Sequence, residues 1–215
     1  MLFRSWIGTS RGANGKTTVT FVWEPEPGSS LGSARAVERP VRVSVTAAGP
    51  DGMPVFRGKV PEAEPSRAAA GAAAPATAVV RFDVPPGKVQ LRLAIEGANQ
   101  EVLDSERREI DVPDLTAPRT LLGTPEVLRG RTARDLQQLR ADLRAVPSPV
   151  REFSRMERLL VRVPVYGPGG AVPAVTCRVL NRTGVEISTL PTTVTADRAD
   201  VEVPLAGLPE IGRAH

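Results

Sequence analysis

Cysteine, histidine and aromatic residues are scarce in this 215-residue chain. The single cysteine, Cys177, excludes an intrachain disulfide and a thiolate metal cluster, because both require several cysteines. It lies in an apolar segment, AVTCRVL, and we expect it to be a small buried hydrophobic residue. Aromatic residues make up only 4% of the chain. The hydrophobic cores must therefore be built from valine, leucine and isoleucine.

Lysine and long apolar runs are scarce as well. The only lysines are Lys16, Lys59 and Lys88, so arginine supplies most of the positive charge behind the formal net charge of +4. The arginines are interleaved with acidic residues, so no basic stripe forms and we expect no nucleic-acid partner. No apolar run reaches the length of a membrane-spanning helix, and no signal-peptide pattern is present. We therefore predict no transmembrane segment.

Short alternating segments, separated by many prolines and glycines, dominate the rest of the sequence. The clearest stretch runs from Thr77 to Val112 and predicts a three-strand antiparallel meander. Its turns are supplied by Pro85-Pro86-Gly87 and Gly97-Ala98-Asn99. In its middle strand the residues expected to face the core are Val89, Leu91, Leu93 and Ile95, and those expected to face solvent are Gln90, Arg92 and Glu96.

The segments before the meander have the same pattern and predict one β-sandwich domain over residues 15–113. Asn14-Gly15 is a turn, and the strand that follows ends at Pro25. A second strand has Val43 and Val45 inward and Arg42 outward. About six strands are enough for an immunoglobulin-like or fibronectin-like sandwich. Residues 1–14 are expected to be an irregular segment in front of it.

A connector with one amphipathic helix is predicted for residues 114–149. The helix covers residues 132–146, with Thr132 as its N-cap and Asp135 placed to interact favourably with the helix dipole. Pro147 ends it. Its apolar face consists of Leu136, Leu139, Leu143 and Val146.

Residues 150–209 return to strand patterns, in which Leu160, Arg162 and Pro164 alternate with valines. This pattern predicts a second, shorter β-sandwich-like domain that is truncated. The predicted fold class is therefore mostly β, with two immunoglobulin- or fibronectin-like sandwich units joined by the connector and its helix.

The two ends of the chain can be encoded by complementary DNA strings. Residues 2–5, LFRS, fit CTCTTCCGATCT, which is the reverse complement of part of GAGATCGGAAGAGCACAC, a string that encodes residues 210–215, EIGRAH. Both strings resemble adapters used in short-read DNA sequencing. We therefore expect Trp6 to about Pro209 to be a natural internal fragment with adapter-derived ends. The only histidine, His215, is then foreign to the protein, which excludes histidine-based catalysis.

Two polar motifs could bind ligands, and each has a simpler structural explanation. Gly15-Lys16-Thr17 resembles the end of a phosphate-binding loop, but Ser10 stands where that loop needs a glycine, and a strand follows instead of a helix. The acidic residues between Asp104 and Asp114 could supply calcium ligands, but their spacing matches no calcium loop and arginines lie beside them. We therefore predict no metal site, no cofactor and no catalytic residue.

Three aromatic residues offer a different kind of surface. Trp6, Trp23 and Tyr166 could form a platform that stacks on sugar rings, which would indicate a carbohydrate-binding or hydrolase-accessory module. However, Trp23 shares a strand face with Phe21 and Val19, so core packing explains it more simply. Exposed, coplanar rings would favour the carbohydrate alternative, and buried rings would remove it.

Four longer segments are typical of one protein family when taken together: RSWIG..RG.NGKTTVTFVWEP, PPGKVQLRLAIEG, VLDSERREIDVPDLTAPRTLLGTPEVLRGRTARDLQQL and VREFSRMERLLVRVPVYGPGG. Together they resemble the C-terminal region of bacterial von Willebrand factor A-related proteins, known chiefly from Acidobacteria. The metal-ion-dependent adhesion motif of the A domain, Asp-x-Ser-x-Ser, has no counterpart in this chain. The resemblance therefore implies no metal ligand here.

What the resemblance does imply is an exported parent protein, located in the periplasm, on the cell surface or outside the cell. The present segment would then support or extend an adhesion-type domain. We expect a non-enzymatic scaffold or protein-interaction region, whose partner is the rest of the parent chain or an envelope protein.

Overall fold

The computed structural model describes residues 3–26, 40–61, 78–195 and 197–207. The chain divides into two units, Met1–Asp114 and Leu115–His215. Antiparallel strands dominate both units, and the described ranges contain one α-helix. The predicted mostly-β, sandwich-type fold class is therefore confirmed. No helix in these ranges is long and apolar enough to cross a membrane. The predicted adapter-derived tail, residues 210–215, lies outside the described residues.

Seven strands in the described residues of the first unit form a β-sandwich. They are Phe3–Arg11 (β1), Thr17–Pro25 (β2), Arg42–Ala48 (β3), Pro54–Val60 (β4), Ala78–Val84 (β5), Gly87–Glu96 (β6) and Val102–Val112 (β7). One antiparallel sheet has the order β1-β2-β5 and the other has the order β4-β3-β6-β7. A three-stranded sheet packed on a four-stranded sheet is the arrangement of an immunoglobulin- or fibronectin-like unit.

The core of the first unit lies between these two sheets and is filled mainly by aliphatic residues at alternating strand positions. Trp23 is the largest side chain in it, and its indole Nε1 donates a hydrogen bond of 3.0 Å to the carbonyl of Val60. The rings of Phe56 and Phe82 stack with their centroids 4.2 Å apart and join β4 to β5 across the sandwich. The inward residues predicted for β6 are all buried, namely Val89, Leu91, Leu93 and Ile95.

The predicted three-strand meander is wrong in its first strand. β5 pairs with β2 in the smaller sheet, whereas β6 pairs with β3 and β7 in the larger one. The connection at Pro85-Pro86 therefore carries the chain from one sheet to the other. Two successive prolines have no backbone N–H, so this turn supplies no donor for a first hydrogen bond between β5 and β6. The hairpin of β6 and β7 is the part of the meander that the structure retains.

The irregular segment predicted over residues 1–14 is also wrong, because β1 is paired along its whole length with β2. Phe3 is buried in the core, and Arg4 forms an ion pair with Glu26. Glycines within this stretch interrupt the alternation of apolar side chains and conceal the strand. The turn predicted at Asn14-Gly15 joins β1 to β2, with φ values of 53° and 74°.

Two charged residues predicted to face solvent are buried on the outer face of the larger sheet. Arg42 and Glu96 lie opposite each other in the register of β3 and β6. Glu96 accepts a hydrogen bond of 3.2 Å from Lys59 on β4. Alternation assigns the face of a strand correctly here, but it does not show which outward residues are covered by their neighbours.

A main sheet, a helix and a separate hairpin make up the second unit. The sheet contains Leu121–Leu122 (β8), Glu126–Gly130 (β9), Arg158–Tyr166 (β10), Thr192–Val194 (β13) and Arg198–Pro204 (β14), and the hairpin contains Cys177–Leu180 (β11) and Glu186–Leu190 (β12). β10 is central, with β14 on one side and β8 and β9 along the other. Within the described ranges, β11 and β12 pair only with each other.

Helix α1, Ala133–Ala141, packs on β9 and β10 and covers one face of the sheet. The predicted cap is confirmed, because the Thr132 hydroxyl accepts from the Asp135 N–H and the Asp135 carboxylate accepts from the Thr132 N–H. The core cluster of this unit lies between helix and sheet, so the helix takes the place that a second sheet has in the first unit. It consists of Leu128, Leu136, Ala145 and Leu160, with Leu139 packed against it.

The helix ends earlier than predicted, at Ala141 instead of residue 146. Asp142 leaves the helical backbone, and its carboxylate accepts the N–H of Arg144 at 2.8 Å. This local bond offers the backbone an alternative to a further helical turn. Leu143 and Val146 are consequently exposed, although the apolar periodicity placed them on the buried face.

We expect Leu136→Ala to destabilise the second unit by about 2–5 kcal/mol, because it leaves a cavity between α1 and the sheet. Leu143→Ala is the matched control, since that side chain is 67% exposed against 2% for Leu136. The control should change the free energy of unfolding by no more than about 0.5 kcal/mol. Urea unfolding followed by circular dichroism measures both variants. Equal effects of the two substitutions would contradict this packing of the helix.

Candidate functional site

The three aromatic residues considered as a sugar-stacking platform are all buried, and the two tryptophans among them lie on opposite faces of one sheet. Trp23 faces the core of the first unit, whereas Trp6 pairs with Val22 and lies on the opposite face of the same sheet. The Trp6 ring covers Gly8, where a Cβ atom would come within 2.1 Å of the ring. Tyr166 is buried at the end of β10 in the second unit. The carbohydrate-binding alternative therefore loses the residues on which it depended.

Acidic residues of β7 lie on both faces of the strand, and two of them are paired with cations. Glu106 pairs with Arg108 at 2.5 Å, and Glu109, on the opposite face, pairs with Lys88 at 2.5 Å. The hydrogen bond to Glu109 raises the pKa of Lys88. In the part of the chain that the structure describes, no group of three or more His, Cys, Asp or Glu residues could hold a metal ion.

The remaining sequence candidates occupy ordinary structural positions. Gly15 and Lys16 belong to the turn between β1 and β2, and the buried hydroxyl of Thr17 donates to the carbonyl of Pro113 at 2.7 Å. Cys177 begins β11 and is partly exposed, so the prediction that it is buried is wrong. Among the described residues, β11 and β12 form a two-stranded sheet of their own, which is consistent with this exposure.

The buried guanidinium of Arg162, on the central strand β10, makes three hydrogen bonds in the second unit. Its Nη2 donates to the carbonyl of Leu139 at 2.7 Å, and its Nη1 donates to the carbonyl of Asp142 at 3.1 Å. Carbonyls at the end of a helix lack partners within the helix. Its Nε donates to Asp200 on β14 at 3.3 Å. One side chain thus joins two strands to the C-terminal end of α1.

Further arginines extend this network toward the surface. Arg198 lies 3.6 Å from the second carboxylate oxygen of Asp200 and donates to the carbonyl of Arg140 at 3.4 Å. Glu202 accepts from Arg140 at 3.3 Å and also from Arg158. Both carboxylates are therefore balanced by two arginines each. Such mutual neutralisation is typical of a structural ion-pair network, in which the charges hold elements together.

The carboxylate of Asp135 is held at the opposite end of the helix. The N–H groups of Arg131 and Thr132 donate to it at 2.8 and 2.9 Å and hold its pKa below the ordinary value of 3.8. A lowered pKa in the folded state means that the ionised group stabilises the fold above pH 3.8. That contribution is lost as the pH falls through the lower, folded-state pKa.

The most distinctive surface of the second unit is the end of the β11–β12 hairpin. We call Leu180, Val185 and Ile187 the hairpin tip, and these side chains are 50%, 60% and 36% exposed. The turn between them is fixed by Asn181, whose Oδ1 accepts from the N–H and hydroxyl of Thr183 and from the N–H of Val185, at 2.7–2.9 Å. A fixed turn therefore presents three aliphatic side chains to solvent, and exposed apolar clusters often mark interaction sites.

Sequence reasoning missed both the Arg162 network and the hairpin tip. The signal for the network was an arginine on the same strand face as Leu160 and Pro164, together with Asp200 between Ala199 and a valine. A charge placed between apolar residues on one face indicates a buried pair. No comparable signal marks the tip, because a short apolar strand looks the same whether or not another layer covers it.

Comparison with known proteins adds no relative of this chain. No protein-family model matches it, and neither a curated protein nor a solved structure shows a significant match.

We expect Arg162→Met to destabilise the second unit by roughly 3–5 kcal/mol, because it leaves the buried Asp200 short of a partner and uncaps α1. Arg178→Met is the control, since the Arg178–Glu186 pair spans 3.6 Å at the surface and should contribute no more than about 1 kcal/mol. Both tryptophans lie in the first unit. Loss of circular dichroism at a denaturant concentration that leaves tryptophan fluorescence unchanged would assign the effect to the second unit. Equal destabilisation by Arg162→Met and Arg178→Met would contradict this structural role of Arg162.

We expect Asp135→Asn to lower stability at neutral pH and to make little difference in strong acid. The wild-type carboxylate is ionised and bound by backbone N–H groups at neutral pH, and this advantage disappears as it is protonated below pH 3.8. Thermal unfolding of the two proteins across an acid-to-neutral series measures the difference. A difference that stays constant through the acid range would show that the charge of Asp135 contributes nothing.

Proposed function

We propose that this chain is a non-catalytic β-sandwich scaffold and protein-interaction region of a larger exported protein related to von Willebrand factor A proteins. The observation that supports it most is the hairpin tip. Three aliphatic side chains stand exposed on a turn that Asn181 fixes by three hydrogen bonds. A fixed turn loses little conformational entropy on binding, which favours a contact surface.

The charged residues of the second unit support the non-catalytic part of the proposal. Arg162 and Arg198 are engaged with Asp200 and with backbone carbonyls. Glu202 is engaged with Arg140 and Arg158. Groups used in this way stabilise the packing of elements and are not available to a substrate. The exported location and the adhesion-type parent rest on the sequence resemblance, carried by segments such as TFVWEP and DLTAPRTLLGTPEV.

The first test is recovery of the longer reading frame from the source DNA on both sides of Trp6 and Pro209. We expect an export signal and an Asp-x-Ser-x-Ser segment upstream. The A domain encoded there is then expressed separately and titrated against this chain in a calorimeter. A catalytic domain in that frame would overturn the proposal.

The contact surface is tested with matched variants in the same titration. We expect Leu180→Ser combined with Val185→Ser to weaken binding by an order of magnitude or more, because buried aliphatic anchors dominate such contacts. Leu143→Ser removes a comparably exposed leucine from another part of the unit and should leave the affinity unchanged. Equal affinities of the tip variant and the control would exclude the tip as the contact.

A further inference from the structure

We propose that Asn14, in the turn between β1 and β2, is a site of spontaneous deamidation in the folded protein. The reaction converts this asparagine to aspartate or isoaspartate. The inference is independent of the proposed function. It rests on the conformation, exposure and hydrogen bonding of Asn14 and Gly15.

The conformation of the turn leaves the reacting groups accessible. Asn14 and Gly15 are both exposed and have positive φ values of 53° and 74°. The chain on either side is fixed by Lys16 N–H donating to Ala13 at 3.0 Å and by Gly12 N–H donating to Lys16 at 2.9 Å. Among the hydrogen bonds of the described residues, none uses the N–H of Gly15. That nitrogen is therefore free to act as a nucleophile.

Glycine after asparagine removes the steric barrier to the reaction. The Gly15 nitrogen must approach the side-chain carbonyl carbon of Asn14, and a Cβ on the following residue would hinder that approach. The space where a Cβ of Gly15 would lie is empty to 4 Å, so the Gly15 side of the turn is open.

The reaction needs only water. The Gly15 nitrogen forms a bond to Cγ of Asn14, the Cγ–Nδ2 bond breaks, and ammonia leaves with the proton that the backbone nitrogen gives up. The product is a five-membered succinimide. Water then opens either carbonyl of the ring, giving aspartate when the original peptide bond is restored, or isoaspartate when the chain continues through the side-chain carbonyl. No oxidant, reductant or enzyme is required.

The chain contains two natural controls, because its other asparagines are Asn99 and Asn181. Asn99 precedes Gln100 and Asn181 precedes Arg182, so both following residues carry a side chain. The Oδ1 of Asn181 is also held by three hydrogen bonds. Neither site combines a free amide nitrogen with a following glycine.

Conversion would act on the hairpin that the turn closes. The carboxylate of Asp83 already lies beside this turn, since it accepts the N–H of Ala13 at 3.5 Å and the Thr18 hydroxyl at 2.5 Å. A new carboxylate at position 14 adds like charge there. Isoaspartate also lengthens the turn by one backbone carbon, which disturbs the register between β1 and β2.

The test is incubation of the folded chain in mildly alkaline buffer, followed by peptide mapping and labelling with an isoaspartate-specific methyltransferase. We expect the Asn14 peptide to gain the mass of an amide-to-acid exchange an order of magnitude faster than the Asn99 and Asn181 peptides, and to accept the methyl label. Asn14→Gly keeps a turn-forming pair with positive φ and should abolish the signal.

The contrary results are equally specific. Conversion of Asn99 or Asn181 before Asn14 would overturn the proposal. So would an unchanged Asn14 peptide in the folded chain together with rapid conversion in denaturant, because the turn would then protect the amide instead of presenting it.

Discussion

Within each unit of this protein, a buried side-chain donor binds backbone carbonyls and connects separate elements of the fold. In the second unit the guanidinium of Arg162 connects the central strand to Asp200 and to two carbonyls at the end of α1. In the first unit the indole of Trp23 binds the carbonyl of Val60 inside the core. Without these bonds the acceptors would be buried and unpaired, which costs more than the bonds themselves contribute. The positions of the helix and of β4 depend on them.

The exposed strands of the two units differ in how they are protected from pairing with another chain. The edge strand β7 carries several acidic and basic residues, which oppose pairing with another chain. The β11–β12 hairpin has no such protection at its end, where leucine, valine and isoleucine are exposed. An isolated two-stranded hairpin is marginally stable in water, so its persistence here depends on Leu190, which is buried against the unit, and on the bonds of Asn181. The hairpin tip is therefore both held in a fixed turn and exposed as an apolar surface.

Much of the fold follows from patterns in the sequence, and the exceptions have identifiable causes. Alternation located the inward residues of β6, and the Thr132–Asp135 spacing located the start of α1. The end of α1 was missed because Asp142 forms a local bond to Arg144 that apolar periodicity does not register. The sheet to which β5 belongs was missed because strand pattern gives the faces of a strand but not its partners. The candidate sites depended on exposure, and burial of the three rings is a tertiary property that no single strand encodes.

Because the Trp6 ring packs on Gly8, the residues at positions 6 and 8 of β1 constrain each other's size. The ring occupies the space in which any side chain at position 8 would begin. A large residue at position 8 is therefore compatible only with a smaller one at position 6, and the glycine, which weakens a strand by itself, is covered by its neighbour. Divergence along this strand should accordingly proceed by paired replacements, and a sequence that changes one position alone would leave the outer face of the sheet either crowded or bare.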